Sequence, residues 1–143
     1  MAIRFLKIAV VYLMIGVVMG LVMGITHRFQ YAPVHAHINL LGWASLALIS
    51  LIYHVFPEAA QTKLAQCHFW LHNIGVPVFM LSLFFLLSGY PSAERGVVIG
   101  AITTLVGIQM FAINLLRTLR ARTVAKDPPL ATGRGGVRSF ESI

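Results

Sequence analysis

The stretch His35-Ala-His-Ile-Asn-Leu-Leu-Gly-Trp43, with its continuation to Pro57, decides the fold of this chain. The continuation is predominantly apolar and reaches the length of about 20 residues that a helix needs to cross a bilayer. It nevertheless begins with two histidines and an asparagine. Polar side chains inside a membrane are costly and are found mostly where a ligand, an ion path or a partner uses them. We therefore interpret this stretch as a membrane-spanning helix that carries function.

Three further apolar runs of similar length surround this stretch. We predict membrane spans at about residues 5–25, 35–56, 64–87 and 96–119. The composition agrees, because 58% of the residues are hydrophobic and 10% are charged, whereas soluble domains carry about 25% charged residues. The sequence predicts an all-α, polytopic membrane protein, with a four-helix transmembrane domain over residues 1–122 and a flexible cytoplasmic tail over residues 123–143.

The basic residues indicate topology rather than nucleic-acid binding. The net charge is +7, but the lysines and arginines lie at helix ends and in the tail, not in a patch interleaved with aromatic residues. With four spans, both termini lie on one side of the membrane. That side collects Arg4, Lys7, Lys63, Arg117, Arg120, Arg122, Lys126, Arg134 and Arg138. The other side has Arg28 and Arg95, so the positive-inside rule predicts cytoplasmic termini.

Three further features of the sequence limit the possible packing, cross-links and chemistry of the chain. Gly16, Gly20 and Gly24 are spaced four apart, which predicts a face of the first helix that another helix approaches closely. The single cysteine, Cys67, excludes an intrachain disulfide. The few carboxylates lie in loops or in the tail, and neither a glycine-rich phosphate loop nor a Ser/His/Asp set is present, so the sequence offers no hydrolytic site.

The histidines fall into two predicted clusters, and the outer one contains His27, His35 and His37. Helical residues two positions apart point about 200° apart, so the last two face opposite sides of their helix and favour two different cofactors over one shared ion. Asn39 and Gly42 follow on the face of His35, where the glycine leaves space for a flat macrocycle. The alternative is that both imidazoles lie in the headgroup region and bond to water or loop carbonyls.

The inner cluster contains His54, His68 and His72. It lies about 25 Å from the outer cluster along the second helix, so the two clusters cannot share an ion. His68 and His72 are four residues apart on one face of the third helix, a spacing that suits one metal ion. Copper or zinc completed by His54 is one interpretation. A solvated or headgroup-facing role near the membrane interface is the other.

Two motifs resemble a known family. The segment His37-Ile-Asn-Leu-Leu41 with Trp43, followed by Tyr53 and Pro57-Glu58, resembles the second helix of the catalytic subunit of haem-copper oxidases, and most closely its nitric oxide reductase branch. The segment Phe69-Trp-Leu-His-Asn-Ile-Gly75 resembles that subunit's third helix. The likeness covers about residues 5–90 and extends to short bacterial proteins described as cytochrome oxidase subunit I-like. It implies a bacterial inner-membrane location, an oxidoreductase-like function and haem b ligated by His37.

The chain departs from the family because it ends after four helices. The later histidines that hold copper and the second haem have no counterpart, so whether the chain is an enzyme stays open. The large subunit's twelve helices resemble three four-helix arcs, and a homotrimer would supply the same number. His35-Ala-His37 also resembles a His-x-His pair of the large subunit, which implies a haem b held between His37 of one protomer and His35 of the next.

Three functions remain open from the sequence. The first is a haem-binding protein that transfers electrons, with a redox partner protein, or binds a diatomic gas. The second is a non-haem membrane protein that holds copper or zinc. The third is a cofactor-free accessory or assembly subunit of a respiratory complex.

Overall fold

The computed structural model describes residues 1–126, apart from the side chains of Val124 and Lys126. Within this range the chain forms five α-helices and one π-helical segment and contains no β-strand. These elements are α1 (Ala2–Thr26), α2 (Ala32–His37), the π-helix (Ile38–Ala44), α3 (Ser45–Val55), α4 (Lys63–Leu87) and α5 (Glu94–Lys126). Short 3-10 turns stand in the connections at Phe29–Tyr31, Ala59–Gln61 and Pro91–Ala93.

Four helical stretches are long and apolar enough to cross a membrane. They are Ala2–Thr26, Phe29–Val55, Lys63–Leu87 and Pro91–Thr123, and we call them the first to fourth spans. The prediction of an all-α protein with four membrane-spanning helices is confirmed, and the chain is a multi-pass membrane protein. The last helix continues to Lys126, so residues 123–126 are helical where we expected a tail to begin. The rest of the predicted tail, residues 127–143, lies outside the described residues.

Glycines set the distance between α4 and α5, which pack along much of their length. A Cβ atom added at Gly100 would lie 2.6 Å from Cα of Phe79, and one added at Gly75 would lie 2.7 Å from the backbone nitrogen of Thr104. These are backbone atoms, which cannot rotate away as a side chain does. Small residues therefore bring the two helices into direct backbone contact, as in other membrane helix pairs.

The first span packs against the second span through the predicted glycine face. A Cβ added at Gly16 would lie 2.5 Å from Asn39 Oδ1, and one added at Gly20 would lie 2.8 Å from His35 Cε1. At Gly24 nothing lies within 4 Å. The prediction is confirmed at two of the three glycines, and these two make room for the polar side chains of the second span.

The four spans meet at one end of the bundle. Phe5 of α1 is fully buried there against Tyr53 of α3 and Phe69 of α4. We call this the N-terminal end. Toward the opposite end of α1, a groove of about 850 Å³ lies between α1 and the side chains of Tyr31 and Phe84, and its lining is largely apolar. The closed, polar part of the interior therefore lies toward the N-terminal end.

We expect both termini to lie in the cytoplasm. Alkaline phosphatase, which is active only outside the cytoplasm, should be active when fused after Tyr90 in a bacterial host and inactive when fused after Lys126. The reason is the excess of lysine and arginine on the side of the termini. The reverse pattern of activity would contradict the predicted orientation.

Candidate functional site

His35 and His37 lie on opposite sides of the second span. The ring of His35 contacts α1 at Gly20, whereas the ring of His37 lies edge-on to Phe79 of α4, with ring centroids 5.2 Å apart. The predicted divergence of the two rings is confirmed. Within one protomer they cannot ligate the same ion.

One ring nitrogen of His37 is hydrogen-bonded, and the other has no hydrogen bond to residues 1–126. Its Nδ1 donates to the carbonyl oxygen of Pro33 over 2.7 Å, because a carbonyl can only accept. This hydrogen bond places the lone pair on Nε2. Metal-ligating histidines commonly show this arrangement, in which a backbone carbonyl orients the ring and fixes its tautomer. The side chain is half-buried, so Nε2 is available near the surface of the bundle.

His35 is half-buried between Gly20 and Asn39. Both of its ring nitrogens lie 3.5 Å from Asn39 Nδ2, which donates its shorter bond of 2.8 Å to the His35 carbonyl. The imidazole thus has no strong hydrogen bond. Asn39 itself is packed against Gly16, and we find it in the contact with α1 rather than on an open surface.

The space over Gly42 is filled by a side chain of the same protomer. A Cβ added there would lie 2.5 Å from Cδ1 of Tyr12, and Gly42 is buried. The expectation that Gly42 leaves room for a flat macrocycle is therefore wrong for the protomer, because α1 already occupies that face.

His27 ends α1 in a left-handed conformation, with φ of 54° and ψ of 24°. It is exposed and lies near Phe29, with ring centroids 6.2 Å apart. Among residues 1–126 no group of three or more His, Cys, Asp or Glu side chains is placed to hold a metal ion. The outer cluster is therefore not a three-ligand site within one protomer.

His68 and His72 are fully buried, each with 0% of its surface exposed. The expectation of a solvated or headgroup-facing role is wrong for both, because the face of α4 that carries them points into the bundle. The same face carries Ala65 and Gly75, also buried. This spacing of three and four residues among small side chains is the signal in the sequence that indicates burial.

His54 does not join the buried pair. It is exposed and lines two surface cavities of about 360 and 560 Å³ near the N-terminus. The predicted copper or zinc site of three histidines is therefore not assembled in the protomer. Its neighbour Tyr53, on the buried face of α3, takes the position beside His68 that we expected for His54.

His68 is enclosed by aromatic rings. The ring of Phe5 stacks on it with centroids 5.3 Å apart and an interplanar angle of 18°, and Phe111 lies at the same distance. Tyr53 Oη is 3.5 Å from His68 Nδ1, at the long limit of a hydrogen bond. The other nitrogen, Nε2, is buried and has no hydrogen-bond partner among residues 1–126.

His72 bonds to the π-helix, which the sequence analysis did not predict. Its Nε2 donates to the carbonyl oxygen of Leu41 over 3.0 Å. A π-helix widens the backbone by one residue per turn and is common at functional sites. The bond fixes the tautomer, so Nδ1 of His72 carries a lone pair, and this nitrogen is also buried without a partner in the described part of the chain.

A second set of buried polar groups lies at the loop between the second and third spans. Asn114 of α5 is buried, donates to the Ala59 carbonyl over 2.8 Å and accepts from the hydroxyl of Thr62 over 2.8 Å. Thr62 in turn accepts from the backbone of Ala65 and caps α4. This network is fully paired and serves to fix the loop, in contrast to the two unpaired imidazoles.

No protein-family model, no curated protein and no solved structure matches this chain. What the fold and the site define is a class: a four-span helical membrane protein whose second and third spans carry histidines with free ring nitrogens. These histidines form two pairs: His35 and His37 on the second span, and the buried His68 and His72 on α4.

Proposed function

We propose that the chain binds haem b in the bacterial inner membrane as a homotrimer and transfers electrons to or from a redox partner protein. His37 of one protomer and His35 of the next would hold the haem between them. The proposal extends the resemblance to the haem-copper oxidase catalytic subunit. Because two histidines are proposed to hold the haem, we do not propose oxygen or nitric oxide reduction.

The observation that carries the proposal is the hydrogen bond from His37 Nδ1 to the Pro33 carbonyl. It leaves Nε2 as a lone-pair donor on an oriented ring, which is what an axial ligand requires. An imidazole in an apolar span is costly unless it is used. His37 meets both conditions, because it lies at the start of the second span and its Nε2 has no hydrogen bond within the described part of the chain.

The other residues fit a shared haem to different degrees. His35 has two ring nitrogens without a strong bond and is half-buried, so it supports a second ligand. Ala36 and Leu40 are exposed on the surface between the two imidazoles, which supports this surface as the protomer contact. Asn39 and Gly42 do not fit, since both are covered by α1.

Two axial histidines favour electron transfer over gas binding. A bound haem would supply a one-electron couple, and ligation by two histidines would leave no place for a diatomic ligand. The chain's own residues hold the ring of His37 through Pro33, and the edge of Phe79 excludes water on one side of it.

We expect the detergent-purified protein to show a haem absorption spectrum and a native mass of three chains. Replacement His37→Ala should lower the haem content at least tenfold, because it removes an axial ligand. The matched control is His54→Ala, which removes an exposed histidine near the other end of the second span and should leave the haem content unchanged. Haem is measured by pyridine haemochrome assay against protein mass.

Three outcomes separate the functions. A colourless preparation would contradict the proposal and favour an accessory subunit. A haem content that His37→Ala leaves intact would show that the ligand lies elsewhere. A spectrum that shifts when carbon monoxide is added to the reduced protein would overturn electron transfer in favour of diatomic gas binding.

A further inference from the structure

The two buried imidazoles of α4 share a pattern that the proposed haem does not use. In each ring one nitrogen faces a protein oxygen, the Leu41 carbonyl for His72 and the Tyr53 hydroxyl for His68. The other nitrogen is buried without a partner in the described range. Leaving a buried polar group without a hydrogen-bond partner is costly. Two such groups side by side indicate that a ligand completes them.

The two rings are placed to share one ligand. They stand four residues apart on one face of α4, with centroids 5.4 Å apart and planes at 85°. A metal ion with two bonds of about 2.0 Å holds its two nitrogens at most about 4 Å apart, and rings whose centroids lie 5.4 Å apart are close enough for one nitrogen of each to reach that separation. A bridging water is less suitable, because a buried water needs about three polar partners. His68 is flanked by the rings of Phe5 and Phe111, and the hydroxyl of Tyr53 faces its other nitrogen.

We propose that His68 Nε2 and His72 Nδ1 together bind a single monovalent copper ion inside the bundle. Imidazole is a suitable ligand for copper, zinc and iron. Zinc in structural sites takes four protein ligands, and no third histidine, cysteine or carboxylate joins this pair among residues 1–126. Two-coordinate binding by a pair of neutral nitrogens suits Cu⁺.

The charge of the site also favours a monovalent ion. Burying a charge in an apolar environment is costly, and the Born cost rises with the square of the charge. The carboxylates of the described chain, Glu58 and Glu94, are both exposed, so no anion is present to compensate a divalent ion. A metal ion with a single positive charge, bound by both imidazoles, therefore has the lowest cost of burial in this interior.

The surrounding hydrogen bonds agree with a pair of metal ligands. A ligating histidine donates its other N–H to an oxygen. His72 Nε2 already does so to Leu41, and His68 Nδ1 can donate to Tyr53 Oη with the lone pair then on Nε2. The π-helix contributes one of these two oxygens, which gives that rare element a specific role.

The test is copper binding by the full chain in detergent. We expect one Cu⁺ per chain in competition with a chromophoric Cu⁺ chelator under a reductant. Both His68→Leu and His72→Gln should weaken binding at least 100-fold. Tyr53→Phe should weaken it 10–100-fold, as the loss of such a second oxygen partner commonly does. Zn²⁺ alone should not bind to this pair.

Two controls separate this site from the others. His54→Gln and His37→Gln each remove a histidine outside the pair and should keep the full copper stoichiometry, whatever their haem content. X-ray absorption of the wild-type copper form should show two nitrogen neighbours, and this measurement stands even where a variant fails to fold. Iron is counted separately, so failure of the haem proposal does not affect the result.

The proposal is overturned if the wild-type chain binds no Cu⁺ under these conditions. It is also overturned if copper binding survives His72→Gln in a folded protein, or if His54→Gln abolishes it. Three or more nitrogen neighbours in the absorption spectrum would contradict the two-coordinate site.

Discussion

Gly100→Val should separate the third and fourth spans and destabilise the folded protein by about 3 kcal/mol or more. Overpacking a membrane or soluble core costs about 1–3 kcal/mol when side chains can adjust. Here the first added carbon would lie 2.6 Å from Cα of Phe79. A backbone atom cannot rotate away, so α4 and α5 must move apart and lose the contact that spans much of their length. Thermal unfolding in detergent, followed by circular dichroism, measures the loss.

Gly24→Val is the matched control. It makes the same substitution in a membrane-spanning helix, but nothing lies within 4 Å of a Cβ at that position. We expect a change within about 0.5 kcal/mol, as for substitutions away from packed features. Equal destabilisation by both variants would show that valine disfavours these helices for intrinsic reasons, and would contradict the close contact between α4 and α5.

The helices of this chain could be predicted because the bilayer imposes their length. Each span has to satisfy its own backbone hydrogen bonds in lipid, so about 20 apolar residues indicate a helix whatever packs beside it. The opposite orientations of His35 and His37 followed from helical geometry in the same way. Both are local properties, which a sequence contains without knowledge of the neighbouring helices.

The packing partners could not be predicted from the sequence in the same way. The glycine face of α1 was predicted, but the residues that pack against it depend on the register between two helices. These residues are Asn39 and His35. Gly42 was interpreted as open space because nothing in its own helix fills it, whereas Tyr12 comes from another helix. The π-helix is a similar case: its widened backbone places the Leu41 carbonyl near His72, a residue of a different span.

The burial of His68 and His72 was not predicted, because we assumed that their position near a loop exposes them to solvent or headgroups. We placed them by their distance along the chain from a loop, which predicts depth in the membrane but not the direction that a side chain faces. Ala65 and Gly75 on the same face indicate the direction, since small residues mark helix contacts. Tyr53 rather than His54 reaches the pair for the same reason, because adjacent residues on α3 point about 100° apart.

Gly42→Val should destabilise the protein by about 1–3 kcal/mol, and the second substitution Tyr12→Ala should restore part of that loss. The valine would meet the Tyr12 ring near its attachment to the backbone, at 2.9 Å from Cβ, where the ring has little freedom to move. Removing the ring creates the space that the valine needs. We expect a coupling energy of about 0.5–3 kcal/mol between the two positions, the range seen for residues in contact.

The same pair of substitutions tests where a haem can lie. Leu48→Val, in the same span and with an exposed side chain, controls for the effect of valine on that span and should change stability little. Tyr12→Ala alone should leave the haem content unchanged, because His37 faces α4 and His35 contacts α1 at Gly20, about two helical turns from Tyr12. A haem content that rises when Tyr12 is removed would place the macrocycle over Gly42 after all. In that case α1 would have to move aside in the assembled protein, and the contact between Tyr12 and Gly42 would belong only to the isolated protomer.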